Sequence, residues 1–528
     1  MTSFDVIIPA YQAEHTLARA VKSALSPLTQ NVFIIVDSCD RTLSKAQQLA
    51  EQDERIVVKT TSIENNHDLP AGVSVARNIG ISYATADWVC FLDADDTYAP
   101  GYFDALEKMV SSAPVSLPLI HTCVVREVNG QVTDNHPLRY RFYGGNQVVS
   151  LLEKPHMIGL SVAAAAFNRR FLEATEVSFL KGISWSEDAD FISRYLIEVS
   201  ALRPDFKVGF CAEATYRYVI SSNSTTSTAW ANPDKYVLPF TAIYLPWIQL
   251  AIEKLGHVPR WLENVLLYEL SWYIEADRQV IHPSQLVAAD TLLRCTELIR
   301  TVLLSIRPEA VQEYALTPLS LDRRMMLLAG TGFVATPLNN QIIIYNKKPW
   351  QKLVKHTYFF TGMLPLETFP TEKEPQHMRW VSHTLFGVEL VRERIFWAQQ
   401  GTPVVLDDNP QIVAPFRGNP RLPHSESKEN FIQKPKEVIR KNNNLTNLRK
   451  KLWHLRKNIF QINNNFLKKE STIRLSGITG EEPPIWFYMD RAHRASDNAE
   501  FFYRYAEKNY QKYAIYMPSR RIQPIGIG

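Results

Sequence analysis

The first 115 residues predict an α/β fold built on a mostly parallel sheet. Short apolar segments alternate with segments in which apolar residues recur at helical spacing, and the connections between them are short. This alternation is typical of a parallel sheet covered by helices on both faces. The predicted strands are residues 5–10, 32–37, 55–61 and 87–93, and the predicted helices are residues 13–25, 42–52 and 74–84.

Further along the chain the pattern changes, which predicts five units. The α/β pattern, with a further helix at 187–198, continues to about residue 230. A mostly helical region follows, then a smaller mixed region that is rich in strands, a basic linker with an amphipathic helix, and a last α/β unit. The predicted boundaries are 1–230, 231–335, 336–425, 426–483 and 484–528.

Composition excludes several classes of protein. The chain has 528 residues, of which 45% are hydrophobic and 11% aromatic, so it can bury sizeable cores. A net charge of +4 is small for this length and gives no reason to expect a nucleic-acid partner. Five cysteines are scattered without CxxC spacing, which favours a reducing cytoplasm over a zinc ribbon or a disulfide scaffold.

Two segments bear on membranes. Residues 238–255 are apolar but are interrupted by Pro239, Pro246 and Gln249, so we expect a core or surface helix rather than a spanning one. Residues 428–469 contain twelve Lys or Arg against two Glu. Their amphipathic part, 445–469, predicts either peripheral contact with the cytoplasmic face of the inner membrane or a linker helix packed on a neighbouring domain. No signal peptide is visible, so a cytoplasmic protein is expected.

An acidic cluster follows the fourth predicted strand. In FLDADD, Asp93, Asp95 and Asp96 crowd three carboxylates into four positions, and their mutual repulsion requires compensation by water or a cation. Ligands of parallel sheets bind beyond the carboxyl ends of the strands, which is where these acids fall. Carboxylate oxygens suit Mg²⁺ or Mn²⁺ and leave the ion open to a diphosphate. The alternative is an acidic strand-to-turn junction without a metal.

Two longer stretches resemble the family 2 glycosyltransferases, which have a GT-A nucleotide-diphosphosugar-binding fold. The stretches are VIIPAYQAEHTLARAVKSAL and AGVSVARNIGISYATADWVCFLDADD. The second matches the family form G-x-S-x-A-R-N-x-G-I-x-x-A-x-G-x-[YW]-[IV]-x-F-L-D-A-D-D at nearly every position. The resemblance covers roughly residues 3–230.

On the donor side, the resemblance implies roles for several residues. Pro9 and Tyr11 would flank the nucleotide base, with the Tyr11 ring stacked on it. Asp37 would contact the edge of uracil or another pyrimidine, and Arg77 would reach the base or the diphosphate. The segment VDSCDRT is two residues shorter than its family counterpart, so the loop around the base differs and the nucleotide identity stays open.

The resemblance also implies the reacting groups. Asp93 would bind the ribose and Asp95 the metal ion, Mg²⁺ or Mn²⁺. The stretch FLKGISWSEDADFISRYL is similar to the acceptor-side E-D motif of the family, in which Asp188 would be the general base and Glu187 its neighbour. Without the family, these two acids would more simply be the charged first turn of a helix. Ala165 stands where relatives often have Lys.

The last unit has a resemblance of its own. WFYMDRAHRASDNAEFFYRYAEKNY, residues 486–510, is similar to the opening of the CDP-glycerol glycerophosphotransferase-type domain, which builds teichoic-acid-like and capsule polymers. That domain normally continues for several hundred residues, and IQPIGIG does not resemble its continuation. We therefore expect an incomplete domain. The alternative is a strand–helix cap on the preceding unit.

Together these features predict an inverting, metal-dependent hexosyl or related transferase. It would move a sugar from a nucleotide-diphosphosugar, by preference a UDP-sugar, to a growing bacterial capsule or teichoic-acid-like polysaccharide. One alternative is the sugar-transfer half of a bifunctional polymerase, and another is a non-catalytic assembly scaffold. A nucleotidyltransferase would need a basic, Gly-rich loop after the first strand, and PAYQAEHT is neither.

Overall fold

The structure is a computed structural model that describes residues 2–61, 70–128, 130–183, 185–220, 229–278, 283–348, 353–370, 375–416, 418 and 420. These residues belong to one compact unit. The strands are β1 Phe4–Ala10, β2 Thr29–Val36, β3 Ile56–Thr60, β4 Trp88–Phe91, β5 Thr97–Tyr98, β6 Leu119–Val128, β7 Gln131–Thr133, β8 Gln147–Val149, β9 Ala165–Asn168, β10 Val208–Val219, β11 Ile342–Lys348, β12 Leu353–Phe360, β13 Glu367–Thr368, β14 Gln376–Leu385, β15 Val388–Gln399, β16 Val405–Leu406, β17 Asn409–Pro410 and β18 Val413–Pro415. The helices are α1 Leu17–Ala24, α2 Asp40–Ala50, α3 Val73–Tyr83, α4 Tyr102–Ser112, α5 Arg169–Thr175, α6 Glu187–Leu202, α7 Leu245–Leu255, α8 Arg260–Arg278, α9 Ala289–Leu303, α10 Pro308–Glu313 and α11 Leu321–Gly330.

The central sheet confirms the predicted α/β fold class. Its main path is β3-β2-β1-β4-β9-β6-β10-β5. The first four strands pair in parallel, and β6 pairs in parallel with β10. Strand β9 runs antiparallel between β4 and β6, so β4 and β6 point the same way. The carboxyl ends of β1, β2 and β4 therefore meet at one edge, as the sequence predicts.

Alternation along the strands separates two cores on the two faces of this sheet. Val6 and Ile8 of β1 face the core made with α1, α2 and α4. Ile7 faces the other core, which contains α3 and α6 and extends through α7–α11 as far as Val391 of β15. The helical region and the sheet thus share one continuous apolar core. The unit boundaries predicted at 230 and 335 stay predictions.

The strand-rich region predicted from residue 336 onward contains two further sheets in the part that the structure describes. One has the order β14-β15-β12-β11-β18, and the other is the small set β13-β16-β17. The predicted units 426–483 and 484–528, with the amphipathic helix at 445–469 and the motif at 486–510, lie outside the described residues.

The apolar stretch at 238–255 is a core element, as predicted. A π-helical turn at Phe240–Tyr244 continues into α7, with Pro246 in the first turn of α7, where a proline costs no helical hydrogen bond. Trp247 is fully buried. Among the described helices, none combines the length and apolar character needed to cross a membrane.

Two acidic residues explain how the chain turns into β4, the strand that precedes the acidic cluster. The buried carboxylate of Asp5 accepts hydrogen bonds from the backbone N–H groups of Thr85 and Ala86, at 2.6 and 2.8 Å. The carboxylate of Asp87 accepts from the backbone N–H and the hydroxyl of Ser3 at 3.1 and 3.2 Å. Both acids fasten the α3–β4 turn to the start of β1.

Gly80 permits α3 to lie close to β1. A Cβ at this position would stand 2.3 Å from Cγ2 of Ile7. We expect Gly80→Ala to lower the free energy of unfolding by about 1–3 kcal/mol, because the packed sheet cannot yield by that distance without displacing side chains. Chemical denaturation measures this difference.

Gly144→Ala is the matched control, because the nearest atoms to its Cβ belong to the end of the Gln147 side chain, at 3.0 Å. That side chain can move, so we expect little change. The double variant Ile7→Ala/Gly80→Ala should lose less stability than the sum of its single variants. Equal stability of Gly80→Ala and the unaltered protein would contradict the close approach.

Candidate active site

The three acids of the cluster after β4 differ in how far their side chains are exposed to solvent. The Asp93 side chain is partly exposed and Asp95 is exposed, whereas Asp96 is 1% exposed. Asp96 accepts hydrogen bonds from the Tyr216 hydroxyl at 2.5 Å and from the backbone N–H of Val219 at 2.7 Å. Burial and the charge of Asp93 raise the pKa of Asp96 to about 7. Asp96 therefore fastens the acidic loop to the end of β10.

Arg77 of α3 joins the acidic loop to the acceptor-side motif. Its guanidinium is buried, with Nη2 3.1 Å from Asp93 Oδ1 and Nη1 2.7 Å from Asp188 Oδ1. Glu187 Oε1 lies 3.9 Å from the same Nη1. The ring of Phe179 covers the guanidinium, with 5.3 Å between Cζ and the ring centroid. One cation thus holds together carboxylates from the predicted donor and acceptor sides.

Asp188 is held by both of its carboxylate oxygens. Oδ1 pairs with Arg77, and Oδ2 accepts from the backbone N–H of Val162 at 3.0 Å. Burial, together with the charges of Glu187 and Asp93, raises the pKa of Asp188 to about 7, although the charge of Arg77 opposes the shift. A carboxyl with a pKa near neutrality is suited to accept a proton.

Helix α6 presents the Glu187–Asp188 pair from its first turn. The pair lies in a first helical turn, as the simpler interpretation of the sequence expects, and it also contacts the buried Arg77. The role of Asp188 as a general base stays a prediction. The preceding residue, Ser186, has φ 61°, and its hydroxyl donates to Glu269 Oε2 at 3.2 Å. Glu269 Oε2 also accepts from the Tyr244 hydroxyl at 2.9 Å. Residues of the helical region thus fix the start of α6.

A second contact fixes α6 one turn further along. The indole Nε1 of Trp247 donates to Asp190 Oδ1 at 2.9 Å, and Arg194 pairs with the same carboxylate. Asp190 is buried, so both partners are needed to satisfy its charge. Helices α7 and α8 therefore support the orientation of the acceptor-side pair.

The residues predicted to hold the base lie at the ends of β1 and β2. Pro9 is within β1, and Tyr11 follows the strand with its ring 47% exposed and free to stack on a planar ligand. Asp37 is 4% exposed. Its carboxylate accepts from Thr61 Oγ1 at 2.7 Å and from the backbone N–H groups of Ala71 and Gly72 at 2.9 and 2.8 Å. Asp37 therefore holds the segment that leads into α3, and its contact with a pyrimidine edge stays a prediction.

The cation site predicted at Asp95 offers few protein oxygens as metal ligands. Within the described residues, no group of three or more His, Cys, Asp or Glu side chains is arranged to hold a metal ion. Asp95 presents an exposed carboxylate next to Asp93, and partial loss of water together with the Asp93 charge raises its pKa. Arg19 donates to the Asp95 carbonyl, which orients the loop. These oxygens suit a hard cation that completes its shell with water and phosphate.

Several residues of the site carry no strong signal in the sequence. Tyr216 contacts Asp96 from a strand 120 residues away, and Glu269 contacts Ser186 across 83 residues. Asn78 could have been found, because it belongs to the A-R-N part of the quoted motif. Its side chain bonds the backbone N and O of Phe179, at 2.8 and 2.9 Å, and so places the ring beneath Arg77.

Known proteins match the part of the chain that carries this site. Residues 5–175 match the family model described as glycosyl transferase family 2. The minor teichoic acid biosynthesis protein GgaA of Bacillus subtilis is 24% identical over 322 residues, which cover 59% of this chain and 68% of GgaA. WfgD of Escherichia coli is named as a UDP-Glc:alpha-D-GlcNAc-diphosphoundecaprenol beta-1,3-glucosyltransferase. It is 32% identical over 97 residues, 18% of this chain and 35% of WfgD.

Among solved structures, residues 1–349 of S. aureus TarS in complex with UDP-GlcNAc superpose with a TM-score of 0.47 at 15% identity. The superposition covers 63% of this chain and 88% of that one. The family match spans β1 to α5, and so includes Arg77, Asp93 and Asp95. Residues 5–175 are therefore similar to the glycosyl transferase family 2 domain.

Proposed function

We propose that the chain transfers a sugar from a nucleotide-diphosphosugar to a growing bacterial cell-surface polysaccharide, with inversion at the anomeric carbon. The observation that carries this proposal is the position of Arg77. Its guanidinium contacts Asp93, the predicted ribose ligand, and Asp188, the predicted base. The carboxylates predicted to serve donor and acceptor are thereby held within the span of one side chain, and this closeness supports a direct displacement.

Asp188 is the proposed general base. It would take the proton from the acceptor hydroxyl while the hydroxyl oxygen forms a bond to the anomeric carbon. The bond from that carbon to the diphosphate oxygen breaks, and its electron pair leaves with the nucleoside diphosphate. Attack from the side opposite the leaving group inverts the anomeric centre. The contacts of Asp188 with Arg77 and Val162 orient its carboxylate for this role.

On the donor side, Pro9 and the exposed ring of Tyr11 would flank the base, and Asp93 would bind the ribose. Asp37 would reach the pyrimidine edge through the remaining lone pairs of its carboxylate. A Mg²⁺ or Mn²⁺ ion held by Asp95 would neutralise charge on the departing diphosphate. The similarity to WfgD, which is named as a glucosyltransferase that uses UDP-Glc, supports a UDP-sugar as the donor.

On the acceptor side, the name of GgaA supports a teichoic-acid-like polymer. A second candidate is the sugar-transfer half of a bifunctional polymerase, favoured by the resemblance of residues 486–510 to the glycerophosphotransferase-type opening. The basic segment 445–469 would hold such a protein at the cytoplasmic face of the inner membrane.

A screen of nucleotide sugars tests the proposal. With Mn²⁺ present, we expect at least one UDP-sugar to raise the melting temperature and to release UDP, because binding to the native state alone stabilises it. EDTA should abolish the release. Thermal shift and a UDP-detection assay measure the two effects. Lack of response to every UDP-sugar would contradict the proposed donor.

Substitution of single acids distinguishes the proposed general base, Asp188, from the proposed metal ligand, Asp95. Asp188→Asn should lower transfer by about 10²-fold or more and leave UDP binding intact, because it removes the proton acceptor while Arg77 keeps its ion pair with Asp93. Asp95→Asn should weaken Mn²⁺-dependent UDP binding as well as transfer. Asp104→Asn is the control, since Asp104 is exposed in the first turn of α4. Unchanged transfer in either site variant would refute the role assigned to that residue.

The transfer rate should depend on the protonation of Asp188. Because the pKa of this carboxyl is raised to about 7, the base is protonated and inactive at lower pH, so kcat should rise through about pH 7 and level off above it. Glu187→Gln should move this inflection to lower pH, since the charge of Glu187 contributes to the upward shift. A pH–rate profile of both proteins provides the measurement. A flat profile down to pH 5 would be incompatible with Asp188 as a base of raised pKa.

A further inference from the structure

A lysine between two tryptophans lies beside the acceptor-side acids. Lys235 belongs to the short 3₁₀ segment Pro233–Tyr236, just before the π-helical turn at Phe240–Tyr244. Its Nζ stands 5.7 Å from the ring centroid of Trp185 and 5.4 Å from that of Trp230. Trp185 immediately precedes Ser186 and the Glu187–Asp188 pair. We call Trp185, Trp230 and Lys235 the tryptophan–lysine cluster.

The ammonium group of Lys235 has neither a hydrogen-bond acceptor nor a carboxylate partner among the described residues. In the part of the chain that the structure describes, Lys235 Nζ forms neither a hydrogen bond nor an ion pair, although it can donate three hydrogen bonds. Burial lowers its pKa, and the charges of Glu269 and Glu187 oppose that shift. A partly buried ammonium without a hydrogen-bonding partner is costly unless a ligand supplies one.

The neighbouring acids leave Lys235 available to a ligand. Glu269 directs Oε2 to the hydroxyls of Tyr244 and Ser186. Glu187 lies 3.9 Å from Arg77. Each of these carboxylates is thus engaged by another group, and the two indole faces restrict water around the ammonium. An anionic oxygen that enters this space gains a charge-assisted hydrogen bond in surroundings of reduced dielectric.

We propose that the tryptophan–lysine cluster is an acceptor subsite for a phosphate ester. Lys235 would donate to a phosphate oxygen of the acceptor, and the Trp185 and Trp230 rings would line the channel that leads its hydroxyl to Asp188. This inference rests on the proposed function, because it assigns the acceptor of the same site. The phosphate belongs either to a phosphodiester of the polymer or to the diphosphate of a lipid carrier.

The binding test uses the full chain and three probes: a glycerol-phosphate hexamer, farnesyl diphosphate and the uncharged tetramer of N-acetylglucosamine. Isothermal titration is run on the unaltered protein, Lys235→Met and Lys235→Arg. Lys108→Met, which removes an exposed surface charge, is the matched control. We expect Lys235→Met to bind one or both phosphate probes about 10-fold or more weakly, and Lys235→Arg to stay within about threefold.

A separate titration with UDP and Mn²⁺ distinguishes failure of this inference from failure of the proposed function. We expect the same UDP affinity in all of these proteins. If the unaltered protein did not bind UDP, that result would contradict the proposed donor site rather than the subsite. A selective loss for the glycerol-phosphate hexamer would assign the subsite to the polymer, and one for farnesyl diphosphate to the lipid carrier. The proposal is overturned if the unaltered protein binds neither phosphate probe, or if Lys235→Met binds both normally. It is also overturned if this variant loses the uncharged tetramer or UDP to the same extent.

Discussion

The ion pairs of Arg77 are the interaction on which the rest of the site depends. The guanidinium is buried and contacts carboxylates from two segments about 95 residues apart in the chain, Asp93 after β4 and the Glu187–Asp188 pair of α6. Burying a charge is unfavourable unless partners and hydrogen bonds replace water. The acids supply the partners, and Phe179 supplies a ring that excludes water. The arrangement therefore specifies one relative position of α3, the acidic loop and α6.

The helical region has a part in the same arrangement. Glu269 and Tyr244 bond Ser186 in front of α6, and Trp247 bonds Asp190 within it. These contacts come from helices that share an apolar core with the sheet. The orientation of the Glu187–Asp188 pair thus depends on residues that follow the strand–helix alternation. Residues 231–278 therefore have a structural reason to accompany the central sheet.

Sequence periodicity was sufficient for β1–β4 and α1–α3, because each buries a face whose period is visible locally. It also placed Asp93 and Asp95 at the sheet edge where β1 and β2 end. It did not predict β5 or α4, which also lie within the first 115 residues. Periodicity could not predict the contacts between residues that are far apart in the sequence. Tyr216 with Asp96, Glu269 with Ser186 and the hydrogen bonds of Asp37 depend on how distant segments pack, and no local pattern encodes them.

The crowding of acids after β4 shows how such contacts change an interpretation. From the sequence, water or a cation was expected to offset the repulsion in FLDADD. In the structure, Arg77 already neutralises part of the charge at Asp93, and Asp96 is hydrogen-bonded and buried with a pKa raised to about 7. Asp95 is the acid that stays exposed. A diphosphate bound beside Asp95 would add negative charge to the acidic loop. A cation bound to that diphosphate could take the exposed Asp95 carboxylate as an oxygen ligand. In the proposed reaction, the cation would therefore serve the diphosphate of the substrate more than the folded loop.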